Sequence, residues 1–244
     1  MVLHNAVDSF SRLIVFSRRS ANNRAATVLS LYQDAIRQYG RPFRVRTDHG
    51  GENVAVWNDM VNAWGEEARP LVVGSSVHNQ RIERHNRAVN EQVFNGFKQE
   101  FYDLEREGIL DPLNETDMFC LQYIYLPRIN RRLTEFTDAH NNHAVSTERN
   151  NFPAQLFWLN LHLTAFRGGR SSDDAWRGMD VRDLMSSQTL PHVQVPDTSN
   201  PLSNGSYLRL QRNVDPLSSA SGKELYRCAV QMVGEMMQQQ DSND

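Results

Sequence analysis

Residues 43 to 53, Phe-Arg-Val-Arg-Thr-Asp-His-Gly-Gly-Glu-Asn, constrain this chain more than any other stretch. Phe43, Val45 and Thr47 alternate with Arg44 and Arg46, the period of a strand with one covered face. The strand delivers Asp48 to a Gly50-Gly51 pair, which predicts a turn through backbone conformations closed to larger residues. Asn53 is placed to cap a helix whose apolar positions are Val54, Trp57, Met60, Val61 and Trp64. A carboxylate at the carboxyl end of a strand stands where open α/β sheets place their chemistry. The same residues also fit an Asx-turn followed by a helix cap, and the stretch alone does not choose between the two.

Upstream, Met1 to Val7 reads as a strand, Asp8 to Arg12 as a tight turn, and Leu13 to Phe16 as the returning strand of a hairpin. Asn22 or Asn23 caps a helix to about Tyr39, with Ala25, Val28, Leu29, Tyr32, Ala35 and Ile36 in its apolar stripe and Gly40-Arg-Pro42 as its stop. Downstream, Pro70 to Gly74 is a short apolar strand. This strand–helix–strand–helix alternation predicts parallel pairing within a mixed sheet. Trp57 and Trp64, seven apart on one helix face, read as core in preference to a base-stacking surface. A long helix then runs past Leu104, its stripe of Ile82, Val89, Val93, Phe97, Phe101 and Leu104 leaving Glu83 at the edge. A purely structural role for Glu83 would be a pair with Arg87 at i+4, worth only ~0.3 kcal/mol.

Gly108 and Pro112 break the chain, and Glu115 to about Ala139 is a further helix in which Pro127 predicts a kink or a break into two. His140 and His143 have metal-ligand spacing, but with no cysteine or carboxylate suitably beside them they read as polar loop residues. Phe152 to about Phe166 closes the core region as a helix. Residues 167–222 read as an irregular linker and extension opening on Gly168-Gly-Arg-Ser-Ser172, with at best short strands at His192 to Val195 and Tyr207 to Leu210. Residues 223–244 hold a last helix, with Leu225, Cys228, Ala229, Met232 and Met236 on one side, and a tail expected to fray. Docking of that stripe on the core is expected over its use as a partner surface.

The net charge of −3 does not mark a nucleic-acid binder, but its distribution is uneven. Residues 1 to 50 hold eight arginines against three acids, and only Lys98 and Lys223 of the 26 basic residues are lysine. Arginine forks suit a polyanion, although a compositional bias of the genome explains the choice equally well. No uninterrupted apolar run approaches the roughly 20 residues of a membrane span, and the N-terminus does not read as a signal peptide. Cys120 and Cys228 read as buried small hydrophobes in a reducing compartment, not as a disulfide. Neither a Gly-rich phosphate loop nor a nucleophile elbow is present, which argues against a kinase, an oxidoreductase and a hydrolase triad.

Glu83 stands 35 positions after Asp48 (83 − 48), within Ser76-Val-His-Asn-Gln-Arg-Ile-Glu-Arg-His-Asn86. Thr-Asp-x-Gly-Gly-Glu-Asn, a short helix, a strand, then Asn-Gln-x-Ile-Glu-Arg on a helix resembles the second half of a DDE-type integrase core. More closely, it resembles the integrase-core-domain proteins of animal genomes. The resemblance covers about residues 1 to 165, including Gly108-Ile-Leu-Asp-Pro-Leu-Asn114 and Tyr125-Leu-Pro-Arg-Ile-Asn130; beyond that mainly Val214-Asp-Pro-Leu217 matches.

The resemblance implies an α/β fold of the RNase H-like class over residues 1–166, a mixed sheet flanked by helices, followed by extra helices and an irregular C-terminal region. It also implies a metal-dependent polynucleotidyl transferase whose two aspartates and one glutamate hold Mg2+ or Mn2+. Asp48 matches the second carboxylate and Glu83 the third, as catalytic and metal-binding residues. His78, Asn79, Arg81 and Arg84 fall by position on the nucleic-acid side.

The first aspartate has no match. In the family it lies on the central strand before the hairpin, whereas residues 4–16 resemble the second and third strands, so the sheet is expected to lack its first, central strand. Asp8 does not replace it. Strand two runs antiparallel to strand one, which puts Asp8 at the rim opposite Asp48, well over ~10 Å away at about 3.3 Å per residue. Arg84-His-Asn86 also departs from the Leu-Trp common after Ile-Glu-Arg. A DNA strand-transfer core, incomplete or inactive as it stands, is therefore the expected function. The alternative is a domesticated, non-catalytic nucleic-acid-binding or protein-interaction module. DNA is the expected partner, a homo-oligomer is compatible, no membrane is involved, and the expected location is intracellular and nuclear.

Overall fold

The computed structural model describes residues 1–74, 80–166, 195 and 198–241. Strands β1 (Val2–Val7) and β2 (Ile14–Ser20) pair antiparallel with Asn5 opposite Ser17. Asp8 makes the turn between them. Its Oδ2 accepts from the backbone N–H groups of Ser11 (2.6 Å) and Phe10 (3.2 Å) and from the Ser11 hydroxyl (2.7 Å). Helix α1 (Ala25–Tyr39) buries Val28, Tyr32 and Ala35. Ahead of it Asn22 Oδ1 accepts from the Arg24 N–H (3.1 Å) and the Thr27 hydroxyl (2.7 Å). Gly40, at φ 85°, ends it by returning its N–H to the Ile36 carbonyl. Strand β3 (Val45–Thr47), helix α2 (Val54–Trp64) and strand β4 (Leu71–Val73) follow, with β3 and β4 parallel and Val45 opposite Leu71. Val28, Tyr32, Val56, Trp57, Met60 and Leu71 form one core among these elements.

The mixed α/β architecture expected from the alternation of elements is present, but the four strands do not form one sheet. Among the described residues β1 pairs only with β2 and β3 only with β4. Each of the four strands therefore keeps one edge without a ladder partner among the described residues, and no strand pairing there joins the two ladders.

Helix α3 (Gln80–Val89) runs through a π turn (Asn90–Phe94) directly into α4 (Asn95–Arg106). The sequence explains the wide turn. Val89, Val93, Phe97 and Phe101 recur every fourth residue, and at 3.6 residues per turn each such step drifts about 40° around an α-helix. One turn that takes an extra residue offsets part of that drift and keeps the stripe facing one way. Val89, Val93 and Leu104 are buried and Phe97 and Phe101 partly so, against α5 (Glu115–Asn141). Asn114 caps α5 by accepting from Thr116 N–H (2.8 Å) and Asp117 N–H (3.2 Å).

Pro127 neither breaks α5 nor divides it. Ile124, Tyr125 and Ile129 on either side of it are fully buried, and their packing outweighs the lost intrahelical bond, a cost of ~3 kcal/mol. α5 also extends through His140, which stacks on Phe136 and lies 3.1 Å by Nε2 from the Arg12 carbonyl oxygen, so this histidine is a packed helix residue and not a loop residue. Helix α6 (Pro153–Phe166) closes the region.

Beyond it, Tyr207 to Leu210 is helical, not a strand. α7 (Asn204–Asn213) starts on Ser203, whose hydroxyl oxygen accepts from Ser206 N–H, and points Leu210 inward. Tyr207, Leu210 and Val214 have helical spacing under a serine cap, and that pattern prevails over the β propensity of Tyr207. The linker opening at 168–172, most of the strand expected at 192–195, and the last three residues of the tail lie outside the described residues.

Helix α8 (Gly222–Asp241) docks on α5 through Tyr226, Ala229, Val233 and Met236. The buried stripe is therefore rotated from the expected one: Cys228 is exposed, while Cys120 is buried. Trp64, expected in the core with Trp57, is instead partly exposed and stacked on Phe43 (centroids 4.9 Å apart).

Candidate active site

Asp48 leaves β3 on a corner whose geometry comes from its neighbours. The Trp57 indole N–H donates to Thr47 Oγ1 (2.9 Å), and the Thr47 hydroxyl donates to the Asp48 carbonyl oxygen (3.0 Å). Trp57 is fully buried, so a core side chain holds the backbone just before the carboxylate. Asn53 Nδ2 then donates to Asp48 Oδ1 (3.0 Å). Asn53 thus binds Asp48 and makes no side-chain cap on α2. The glycine pair also differs from expectation. The glycines with positive φ among the described residues are Gly40, Gly65 and Gly108, while Gly50 sits at φ −70°. A 3-10 turn over Gly51–Asn53 reverses the chain through conformations open to any residue. The Asp48 carboxylate is exposed.

Glu83 lies in the first turn of α3 and is exposed, as are Arg81 and Arg84, which share one face at i and i+3. Among the described residues Glu83 forms no ion pair, so the pair with Arg87 that a purely structural role would make is not formed. Two contacts seat this end of α3. Asn5 Nδ2 of β1 donates to Asn86 Oδ1 (2.6 Å), and His85 is buried with its ring 5.9 Å from that of Phe136 on α5. Burial, and secondarily the charge of His140, push the His85 pKa down to about 4, so the ring is neutral near pH 7, with its Nε2 buried and without a hydrogen-bond partner. His78 and Asn79 lie outside the described residues.

The two carboxylates do not complete a ligand set. Among the described residues no group of three or more His, Cys, Asp or Glu side chains could hold a metal ion. Oxygen donors such as Asp48 and Glu83 suit a hard divalent cation, but two of them do not make the three-carboxylate site that the resemblance implies.

The arginine-rich N-terminal fifth is also less available than its count implies. Arg12 pairs with Glu148 (2.9 Å), and Arg37 and Arg41 pair with Asp34 and Asp59. The Arg19 guanidinium lies 3.6 Å from the Phe94 ring centroid, and burial lowers its pKa to about 10. Arg18, Arg24, Arg44 and Arg46 are exposed. Thr47, Trp57, Asn5 and Asn86 were not singled out from the sequence as supports. A polar Asn5 in a strand and a polar Asn86 where the resemblance expects Leu-Trp are the signals that could have marked them.

Among the described residues no helix is long and apolar enough to cross a membrane. No curated protein matches the chain, and no solved structure matches it. The family model described as integrase core domain matches residues 1–168, more than half of the chain, and the chain therefore belongs to the integrase core domain family.

Proposed function

We propose that this chain is the core of an integrase- or transposase-type DNA strand transferase of RNase H-like topology, and that Asp48 and Glu83 are two of its three catalytic carboxylates. The observation that carries this reading is the division of the four strands into two separate ladders with open edges. In an RNase H-like sheet one central strand, the element on which the family's first aspartate lies, would pair with both β1 and β3, and each of the two separate ladders keeps an edge open to it. Unpaired backbone groups on both edges favour its entry.

The residues themselves have separate tasks. Trp57, Thr47 and Asn53 hold the Asp48 corner, Asn5 and Asn86 hold the Glu83 helix to the hairpin, and His78, Asn79, Arg81 and Arg84 would face the DNA. A bound Mg2+ or Mn2+ would supply charge stabilisation to the attacking and leaving oxygens. A DNA substrate would place the protein in the nucleus.

The test is to supply an aspartate-bearing strand ahead of β1 and assay joining of oligonucleotide ends with Mg2+ or Mn2+. Transfer is expected only with the added strand, and Asp48→Asn and Glu83→Gln should each abolish it. The same strand should raise the melting temperature by joining the two ladders, a readout independent of activity. Activity that survives Glu83→Gln would remove Glu83 from the site. A non-catalytic DNA-binding role is the second reading, favoured by the incomplete ligand set. DNA affinity that falls steeply with salt, persists in EDTA and is never accompanied by transfer would support it.

A further inference from the structure

Helices α5 and α7 leave an open cavity of about 570 Å³ between them, a size within the usual range of ligand sites. Because α7 lies beyond residues 1–168, one wall falls outside the stretch that the family model matches. Three rings meet there. Phe119 and Tyr123, four apart on one face of α5, have centroids 6.4 Å apart and planes 17° from parallel. Tyr207 of α7 stands across from both, at 6.3 Å and 60° to Phe119 and at 6.1 Å and 74° to Tyr123. The Tyr123 hydroxyl donates to the Val214 carbonyl (2.7 Å), which fixes its ring. The Tyr207 side chain is only partly buried, and its hydroxyl has no hydrogen-bond partner among the described residues.

The electrostatics of the cavity have one sign. Among the described residues that line it, Asp215 is the only charged one. Its Oδ1 accepts from the Leu217 N–H (2.9 Å), while its Oδ2 has no partner among the described residues. Pro127, also in the wall, has no N–H to return to the Tyr123 carbonyl, so α5 adds the negative end of a carbonyl dipole here. Burial first, and then Tyr207 and Asp215 close by, push the Tyr123 pKa up to about 12, so the site resists further negative charge. Among the described residues no cation lies over any of the three rings.

This chemistry selects the occupant. Aromatic faces attract a cation within about 6 Å of their centroids, and a point over the middle of the triangle meets that distance for all three. A plain ammonium is compact and strongly hydrated. A trimethylated one spreads its charge over methyl groups, which suit the rings, Leu126 and Pro127. The side-chain amides of Gln122, Asn200 and Gln211 add donors and acceptors for a peptide backbone. Nucleic acid fits poorly, since its phosphates would meet Asp215 and no cation.

We propose that this cavity binds a trimethylated lysine side chain of a partner peptide, its ammonium held against Phe119, Tyr123 and Tyr207 with Asp215 as the counter-charge. The site uses neither Asp48 nor Glu83 and stands apart from the strand-transfer reading.

Titration calorimetry of the 244-residue chain with Ala-Ala-Lys-Ala-Ala peptides tests it. The central lysine is trimethylated, unmodified, or replaced by the neutral isostere that carries a tert-butyl group in place of the trimethylammonium. Saturable binding of the trimethylated peptide is expected, with the other two weaker by roughly tenfold. Asp215→Asn, at an exposed position and keeping the oxygen that accepts from Leu217, should weaken binding by roughly threefold with the melting temperature unchanged. Tyr207→Leu should weaken it by roughly tenfold, whereas Tyr207→Phe, which packs alike and keeps the ring face, should retain it. An isostere that binds as well as the ammonium would make the cavity a merely apolar cleft and overturn the proposal. No saturation at millimolar peptide would overturn it equally. Choline binding as tightly as the peptide would overturn the peptide assignment in favour of a small quaternary amine.

Discussion

His85 translates one side chain's surroundings into a pH dependence. Its folded pKa of about 4 lies below the ordinary value of 6.5, so between those values the unfolded chain binds more protons than the folded one. The stability tied to this ring is complete above about pH 6.5 and is lost as pH falls toward 4, by up to about 3 kcal/mol. Urea midpoints at pH 7 and pH 4.5 should therefore differ, and His85→Leu should shrink the difference; an unchanged pH slope in the variant would place the protonation elsewhere. At this scale the sequence was informative where a residue's bonding is local. Asp8 makes the hairpin turn because its carboxylate reaches N–H groups two and three residues on. It was misleading where the environment decides. Trp57 and Trp64 occupy equivalent helical positions, but α2 ends at Trp64, beyond the core that covers Trp57. Gly50 invited a special backbone conformation that the turn does not use, since Gly50 sits at φ −70°.

Between elements, the C-terminal helices are held by a few identifiable contacts. Arg128 of α5 donates through Nη1 to the Pro216 carbonyl (2.8 Å) and through Nη2 to the Ala220 carbonyl (2.9 Å), clasping the loop that leads into α8. Lys223 and Arg227 of α8 pair with Asp103 and Glu107 at the end of α4. The two Arg128 contacts reach otherwise unpaired loop carbonyls, so they should matter more than the ion pairs, which are partly exposed and screened. Arg128→Ala is expected to cost about 2–3 kcal/mol in urea denaturation, and Arg227→Ala less than about 1 kcal/mol; equal losses would contradict this ranking. Periodicity found α8 but mistook its rotation, and it missed α7, where Tyr207 to Leu210 read as a strand. Leu225 and Met232 flank the true stripe of Tyr226, Ala229, Val233 and Met236 and are themselves partly buried, so an edge of the stripe passed for its centre.

For the molecule as a whole, the order of strands and helices was legible over residues 1–166 and so were the hairpin and the parallel pair, but the separation of the four strands into two ladders was not. Alternation within a strand shows that one face is covered but says nothing of which strand lies beside it, and the two ladders are a fact about neighbours. Nor does residue 166 close the core. Tyr226, Ala229, Val233 and Met236 share one cluster with Val89, Leu104, Ile124 and Ile129. A protein ended at residue 166 should therefore expose the α5 groove, bind a hydrophobic dye and aggregate; a cooperative, soluble fragment would show that α7 and α8 are dispensable.

The wide turn at Asn90–Phe94 has a mechanical consequence. It separates the end of the helix that carries Glu83 from the end anchored by Asp103 and Glu107. Those five residues therefore act as a phase adjuster. Losing one of them would swing the Glu83 carboxylate about 100° around the axis while every distal anchor stayed where it was.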